Sequence, residues 1–256
     1  MKVNLLAINV GNTRTQVGTF HQGKLEQSQS VPSGDVAQLK QALEQCYKII
    51  AEESDVFVLM ASVNANGAQA VEQAAAGVID KPIRRVEKDI PIPVGRQLDR
   101  ETIVGEDRLL NAAAAYAVLK QTCIVVDAGT AVTIDLVDGE GTFHGGAIAP
   151  GARLMLSSLH QHTAQLPEVT LEKPLEPIGH NTVEAMRTAI YHGLRGMVRE
   201  LTEQYAENIG TYPLVIATGG DAQLLFEDYE LIDRVVPDLT LIGLRVTLEA
   251  YLREDE

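Results

Sequence analysis

Residues 123–146, CIVVDAGTAVTIDLVDGEGTFHGG, lie over residues 5–28, LLAINVGNTRTQVGTFHQGKLEQS, without a gap. In that alignment Asn9 falls over Asp127, Gly11 over Gly129, Asn12 over Thr130, Thr15 over Thr133 and Gly23 over Gly141. Each copy reads as an apolar strand, a glycine loop, a second strand, a turn and a third strand. Two unrelated hairpins would share apolar alternation. They would not also hold glycines in register at both the loop and the turn. A repeated three-strand unit followed each time by helical stretches predicts an α/β fold of two similar, duplicated domains, with the glycine loops facing across a central cleft. The division is expected near residue 118, giving domains of 1–118 and 119–256.

The intervening sequence fits that plan. A helix over 35–52 puts Leu39, Leu43, Cys46, Tyr47 and Ile50 on one face, with Ser33 or Asp35 as its cap. VFVLMASV (56–63) reads as a strand, residues 67–77 as a short Ala-rich helix and 83–87 as a strand. IPIPV (90–94) is extended, because its prolines oppose helix. A helix follows over 106–120. After the second copy, a long helix at 181–207 carries Val183, Met186, Ile190, Leu194, Met197, Leu201 and Tyr205 on a broad apolar face. The strand LVIA (214–217) runs into TGGDA, and a helix is expected near 241–253.

The formal net charge of −14 opposes nucleic acid or an anionic membrane as a partner, since both need basic patches. Cys46 and Cys123 sit in apolar surroundings without metal spacing and read as reduced core residues of a cytoplasmic protein. The apolar run at the N-terminus is too short for a signal peptide or a membrane span.

Two facing glycine loops make physical sense as a nucleotide clamp. Glycines at 11 and 129 let backbone N–H groups approach oxyanions, and Asn12, Thr13, Thr130 and Thr133 add neutral donors. Neither loop is GxxxxGK[ST] or GxGxxG. In TGGDA, Gly219 and Gly220 permit a flat ligand to lie on the backbone; alone they also describe a tight strand–helix turn. GEDR (105–108) stands at a helix start. There Glu106 and Asp107 cap and Arg108 is solvated, or Asp107 accepts a hydroxyl proton while Arg108 holds a carboxylate or phosphate.

As a set, INVGNT, GEDR, DAGTAVTID, GGAIAPG, TAQLP, NTVEAMRTAIYHG, TGGDA and PDLTLIGL resemble type III pantothenate kinase, in family order over nearly the whole chain. The resemblance implies an actin-like ATPase (ribonuclease H-like) fold and ATP-dependent phosphorylation of pantothenate to 4'-phosphopantothenate, the first step of coenzyme A biosynthesis. It implies ATP with Mg2+, and a monovalent cation, K+ or NH4+, held by Asp127. It puts Asn9, Gly11, Asn12, Thr13, Gly129, Thr130 and Thr133 on ATP, with Gly219 and Gly220 near the adenosine. Gly105, Glu106, Asp107 and Arg108 would contact pantothenate, Asp107 as the base, together with Thr163 and Thr182. It implies a homodimer with a shared active site, Thr182 coming from the partner. This chain departs from the family pattern at Asn9, where the family has aspartate, and at Leu98 and Glu101, where it has tyrosine and proline. Two alternatives stay open: a catalytically weakened relative with a binding or regulatory role, and a same-superfamily kinase with another small hydroxyl substrate.

Overall fold

The computed structural model describes residues 2–254. The chain begins β1 (Asn4–Val10), β2 (Arg14–His21), β3 (Lys24–Pro32), α1 (Val36–Tyr47), β4 (Val56–Ser62), α2 (Ala65–Ala75), β5 (Ile83–Arg85), β6 (Gly95–Arg96) and α3 (Glu106–Leu119). The second copy gives β7 (Cys123–Ala128), β8 (Ala131–Val137) and β9 (Thr142–Pro150), followed by α4 (Ala152–Gln161) and α5 (Thr182–Ile209). The remainder is β10 (Leu214–Thr218), α6 (Ala222–Phe226), β11 (Arg234–Val235) and α7 (Leu239–Glu254). The protein is mixed α/β with two sheets, ordered β3-β2-β1-β4-β5 and β11-β10-β7-β8-β9-β6.

It divides into two compact units. The first holds the residues up to Gly95, Asp99–Val118 and the chain from Asp238 onward; the second holds Arg96–Leu98 and Leu119–Pro237. The sequence groups 119–256 together, whereas α7 packs on β1, β2 and β4 of the first sheet. The physical reason is close approach. A Cβ at Gly243 would lie 2.3 Å from the Leu110 carbonyl oxygen, and one at Gly18 would lie 2.5 Å from Leu241 Cδ1. Buried Thr240 then donates to Asn111 Oδ1 at 2.8 Å. Ala7 and Gly18 are paired across β1 and β2, so α7 covers their face of the sheet. The opposite face, with Leu6, Ile8, Val10 and Val17, is covered by Leu39, Leu43 and Cys46 of α1 and Ala68 and Val71 of α2.

In the second unit Ile124, Val126, Ile134 and Val215 form one core with Leu156 of α4, Met186, Ile190, Leu194 and Val198 of α5, and Phe226. α5 is capped by Asn181, whose side chain accepts from Glu184 N, and stops at Gly210, a left-handed residue at φ 71°. α4 has no sequence prediction behind it. Only Ala152 and Leu156 of it are buried, and its N-cap, Gly151, carries no capping side chain.

The two three-strand copies are not superimposable in register. Gly11 N donates to the carbonyl of Arg14, three residues on, whereas Gly129 N donates to that of Ala131, two residues on. The second loop is one residue tighter. Thr15 therefore pairs with Val10, but Thr133, its counterpart in the gapless alignment, pairs with Asp127. A one-residue slip moves a side chain to the other face. Thr15 is buried and bonded to Ser33, while half-buried Thr133 stands beside Asp127. Each copy carries a bulge further on, between Thr19 and Phe20 in one and Leu136 and Val137 in the other.

Candidate active site

In the first unit, parallel strands β1 and β4 end side by side, with Val10 paired to Ser62. The first glycine loop leaves β1 there. It is buckled from beneath by Ser33, whose N–H donates to the Thr13 carbonyl at 3.1 Å and whose hydroxyl donates to the Gly11 carbonyl at 3.1 Å. Asn12 and Thr13 are left exposed at the tip. Asn9 is half-buried, and its cross-strand neighbour Gln16 donates from Nε2 to Asp238 Oδ1 at 2.7 Å. Ser33 was one of two candidate caps for α1. Asp35 takes that role, accepting from Gln38 N at 3.0 Å, and Ser33 becomes the support of the loop.

GEDR lies at the same strand ends. Val63 N donates to the Val10 carbonyl, Ser62 N donates to Glu106 Oε2 at 2.7 Å, and a Cβ at Gly105 would lie 3.6 Å from Val63 Cγ1. Glu106 thus ties the head of α3 to the end of β4. Asp107 Oδ1 accepts from Arg108 N at 2.8 Å, and a Cβ at Gly105 would meet the same oxygen at 2.6 Å. Gly105 is what lets the carboxylate fold back over the helix start. Burial pushes the Asp107 carboxyl above the usual carboxylate range, against the lowering effects of the Arg108 N–H and the Arg108 charge. Burial also raises Glu106, opposed by its bond from Ser62.

In the second unit the parallel pair is β7 and β10, with Asp127 opposite Thr218. Three segments converge at their ends. Asp221 N donates to the Ala128 carbonyl at 2.9 Å, and Gly151 N to the Thr130 carbonyl at 2.9 Å. Gly219 has φ 95°, and a Cβ on it would sit 2.4 Å from Asp127 Oδ1 and 2.5 Å from the Ala128 carbonyl oxygen. Glycine is obligatory there on both counts. Gly220 is different: it is exposed, its φ lies outside the left-handed range, and a Cβ on it would meet nothing within 4 Å among the described residues. Thr130 is exposed at the loop tip.

The two threonines of the proposed substrate set lie elsewhere in this unit. Thr163 follows α4, where its hydroxyl donates to the Leu159 carbonyl at 2.7 Å and accepts from Leu166 N. Thr182 is exposed at the first position of α5. Leu98 packs on Gly145, whose Cβ would lie 3.2 Å from Leu98 Cδ2. Arg153 and Asp221, absent from the sequence reading, form a salt bridge behind the TGGDA turn. The only signal for it was an acid left over in that motif.

Among the described residues no group of three or more His, Cys, Asp or Glu side chains could hold a metal ion. Magnesium that arrives on a nucleotide keeps several waters and leans on one or two carboxylates. Asp127 is half-buried at the exit of the second loop, a single carboxylate that would share a cation with nucleotide oxygens and is not part of a protein cage.

The family model of type III pantothenate kinase matches residues 5–204. A type III pantothenate kinase of Dehalococcoides mccartyi is 36% identical over 252 residues, covering 96% of this chain and 97% of its own. One from Frankia alni is 34% identical over 246 residues, covering 96% and 98%. Among solved structures, a conserved Baf family transcriptional activator of Campylobacter jejuni superposes with a TM-score of 0.60 at 17% identity, over 97% of this chain and 99% of that one. Component A of the Acidaminococcus fermentans (R)-2-hydroxyglutaryl-CoA dehydratase gives 0.55 at 16%, over 99% and 100%. Those likenesses carry the fold, which is of the actin-like ATPase type. Fold, motif order and full-length relatives agree: this chain belongs to the type III pantothenate kinase family, the kinases that phosphorylate pantothenate in coenzyme A biosynthesis.

Proposed function

We propose that the chain transfers the γ-phosphoryl group of ATP to the hydroxyl of pantothenate, with Asp107 as the general base. The observation that supports this reading most is Asp107 itself. It is a carboxyl at a helix head, beside the first glycine loop, with its proton affinity raised by burial. A base poised nearer neutral pH orients and deprotonates an alcohol more effectively than an ordinary carboxylate. Arg108 follows it on the helix and would hold the pantothenate carboxylate.

Asn12, Thr13 and the Gly11 backbone would bind phosphate oxygens from the first unit, and Gly129, Thr130 and Thr133 from the second. Gly220 supports the adenosine position. The backbone there does not require glycine, so an unfilled approach for a ligand is the remaining reason for one. Asp127 would hold the monovalent cation, supplying charge compensation beside the triphosphate.

The assembly reading is a homodimer. The second unit exposes Ile148, Leu154, Leu159 and Ile178, and α5 exposes the small residues Ala185, Ala189, Gly193 and Gly196. A second copy covering these would bring its Thr182 to the site. A cytoplasmic setting accords with the substrates. No helix among the described residues is long and apolar enough to cross a membrane.

An ATPase assay run with and without pantothenate tests the function. ADP release that depends on pantothenate is expected. Release that ignores pantothenate would point to another acceptor, and no release with intact ATP binding would point to a regulatory relative.

A further inference from the structure

Asp221 has only 7% of its side chain exposed, yet its carboxylate is on a turn between a strand and a short helix. Its partner is Arg153, in the first turn of α4. Nε donates to Asp221 Oδ1 at 3.0 Å, and a terminal guanidinium nitrogen lies 2.9 Å from the same oxygen. The two residues join segments that are otherwise distant in sequence. Arg153 is two residues past Gly151, which is hydrogen-bonded to Thr130 of the second glycine loop. Asp221 is one residue past Gly220, and its own N–H is bonded to Ala128. Backbone bonds thus tie the Thr130 loop to α4 and the TGGDA turn to β7. The Arg153–Asp221 pair closes the remaining side, between α4 and the turn. Asp127 stands at the end of β7 with its Oδ1 against Gly219.

We propose that Arg153 is a positioning residue for the nucleotide: through Asp221 it holds the TGGDA turn and the second glycine loop at a fixed separation. The proposal rests on the reading that Gly219 and Gly220 border the adenosine. The chemistry favours a device of this kind. A carboxylate buried this far cannot stay ionised and unpartnered at low cost. If the guanidinium is removed, the Asp221 carboxylate has to turn toward water for a partner, and the turn moves with it. Arg153 is itself 67% exposed on its side chain, so its loss opens no cavity. Its effect is therefore expected on ligand binding more than on folding. Misplacing a binding segment by about 1 Å costs up to roughly a hundredfold in rate.

The test compares Arg153→Ala, Arg153→Lys, Asp221→Asn, the double variant Arg153→Ala/Asp221→Asn, and Gly220→Val as a direct block of the adenosine position. Steady-state kinetics and equilibrium ATP binding are measured on each, with a thermal melt for folding. Arg153→Ala should raise the KM for ATP about tenfold and leave the KM for pantothenate nearly unchanged. Arg153→Lys should recover part of the loss, because it restores the charge without the forked geometry. The double variant should be no worse than the poorer single, since both break one link. Three results overturn the proposal. One is an unchanged ATP KM in Arg153→Ala while Gly220→Val raises it, which leaves the adenosine placement standing. Another is additivity in the double variant, which makes Arg153 a direct contact. The third is an unchanged ATP KM in both Arg153→Ala and Gly220→Val, which removes the adenosine placement as well. If Arg153→Ala melts at assay temperature, the Lys variant is judged on the same criteria.

Discussion

Asp127 and Gly219 touch across the ends of two parallel strands, the carboxylate oxygen occupying the space that any side chain at 219 would need. Asp127, proposed to hold the cation, and the TGGDA turn, proposed to border the adenosine, are therefore expected to move as one piece. Gly219→Ala should show it. The added methyl meets Oδ1 and a carbonyl, at a φ of 95° that costs an ordinary residue about 1–3 kcal/mol. A melting temperature lowered by several degrees and a weakened response to potassium are expected. A Gly219→Ala protein with parental melting and cation dependence would separate the two residues.

Asp107→Asn keeps the size and loses the carboxylate proposed as the base. Turnover should fall by about 10² to 10⁴ with ATP binding largely kept. Near-parental turnover in a folded Asp107→Asn protein would remove Asp107 from the chemistry.

The same substitution has a stability signature of opposite sign. A carboxyl whose pKa is raised in the folded chain holds its proton more tightly there than in the unfolded chain. Its contribution to stability is full below the unfolded carboxyl pKa and is lost as pH rises through the folded value. Asp107 is such a group, by burial. Asp107→Asn should therefore melt above the parent at neutral pH, and the gap should close on acidification toward the ordinary carboxylate range. Glu106 is shifted in the same direction mainly by burial and is present in both proteins; the substitution removes only the smallest of its causes, the Asp107 charge. Parallel melting curves across that range would contradict the burial argument.

Asn9 is the chain's departure from the family's leading aspartate, and its neighbour Gln16 already carries Asp238. An amide orients a metal-bound water but does not offset the metal's charge. Asn9→Asp should lower the magnesium concentration needed for half-maximal rate, with pantothenate KM little changed. Coincident magnesium titrations would make Asn9 a turn residue only.

The glycine loops, the strand triplets and the helix heads were legible because each is written locally, in spacing and in turn residues. The register of the copies was not. A gapless alignment equates Thr15 with Thr133, yet one is buried on Ser33 and the other flanks Asp127, because loop tightness is a matter of backbone hydrogen bonds that the residue types do not specify. Ser33 and Arg153 were hidden for a related reason. Each acts on a segment far from it in sequence, and no periodicity records such a partner. α7 joins the first unit through two close approaches, Gly243 on Leu110 of α3 and Leu241 on Gly18 of β2, each between residues distant in the chain.

That last attachment sets an order of events at the ribosome. The first sheet is complete once β5 has emerged, but the face bearing Ala7 and Gly18 waits for α7, which lies beyond residue 238. At synthesis rates of about 5–20 residues per second, the interval is on the order of ten seconds. During it the second unit, whose residues are contiguous but for Arg96–Leu98, is fully made. The later-made half of the chain is thus free to fold first, and the nascent N-terminal sheet carries an uncovered apolar face until synthesis is nearly done. A chain released early, without α7, would keep its second glycine loop and TGGDA turn and lose the cover over the sheet that carries its first glycine loop.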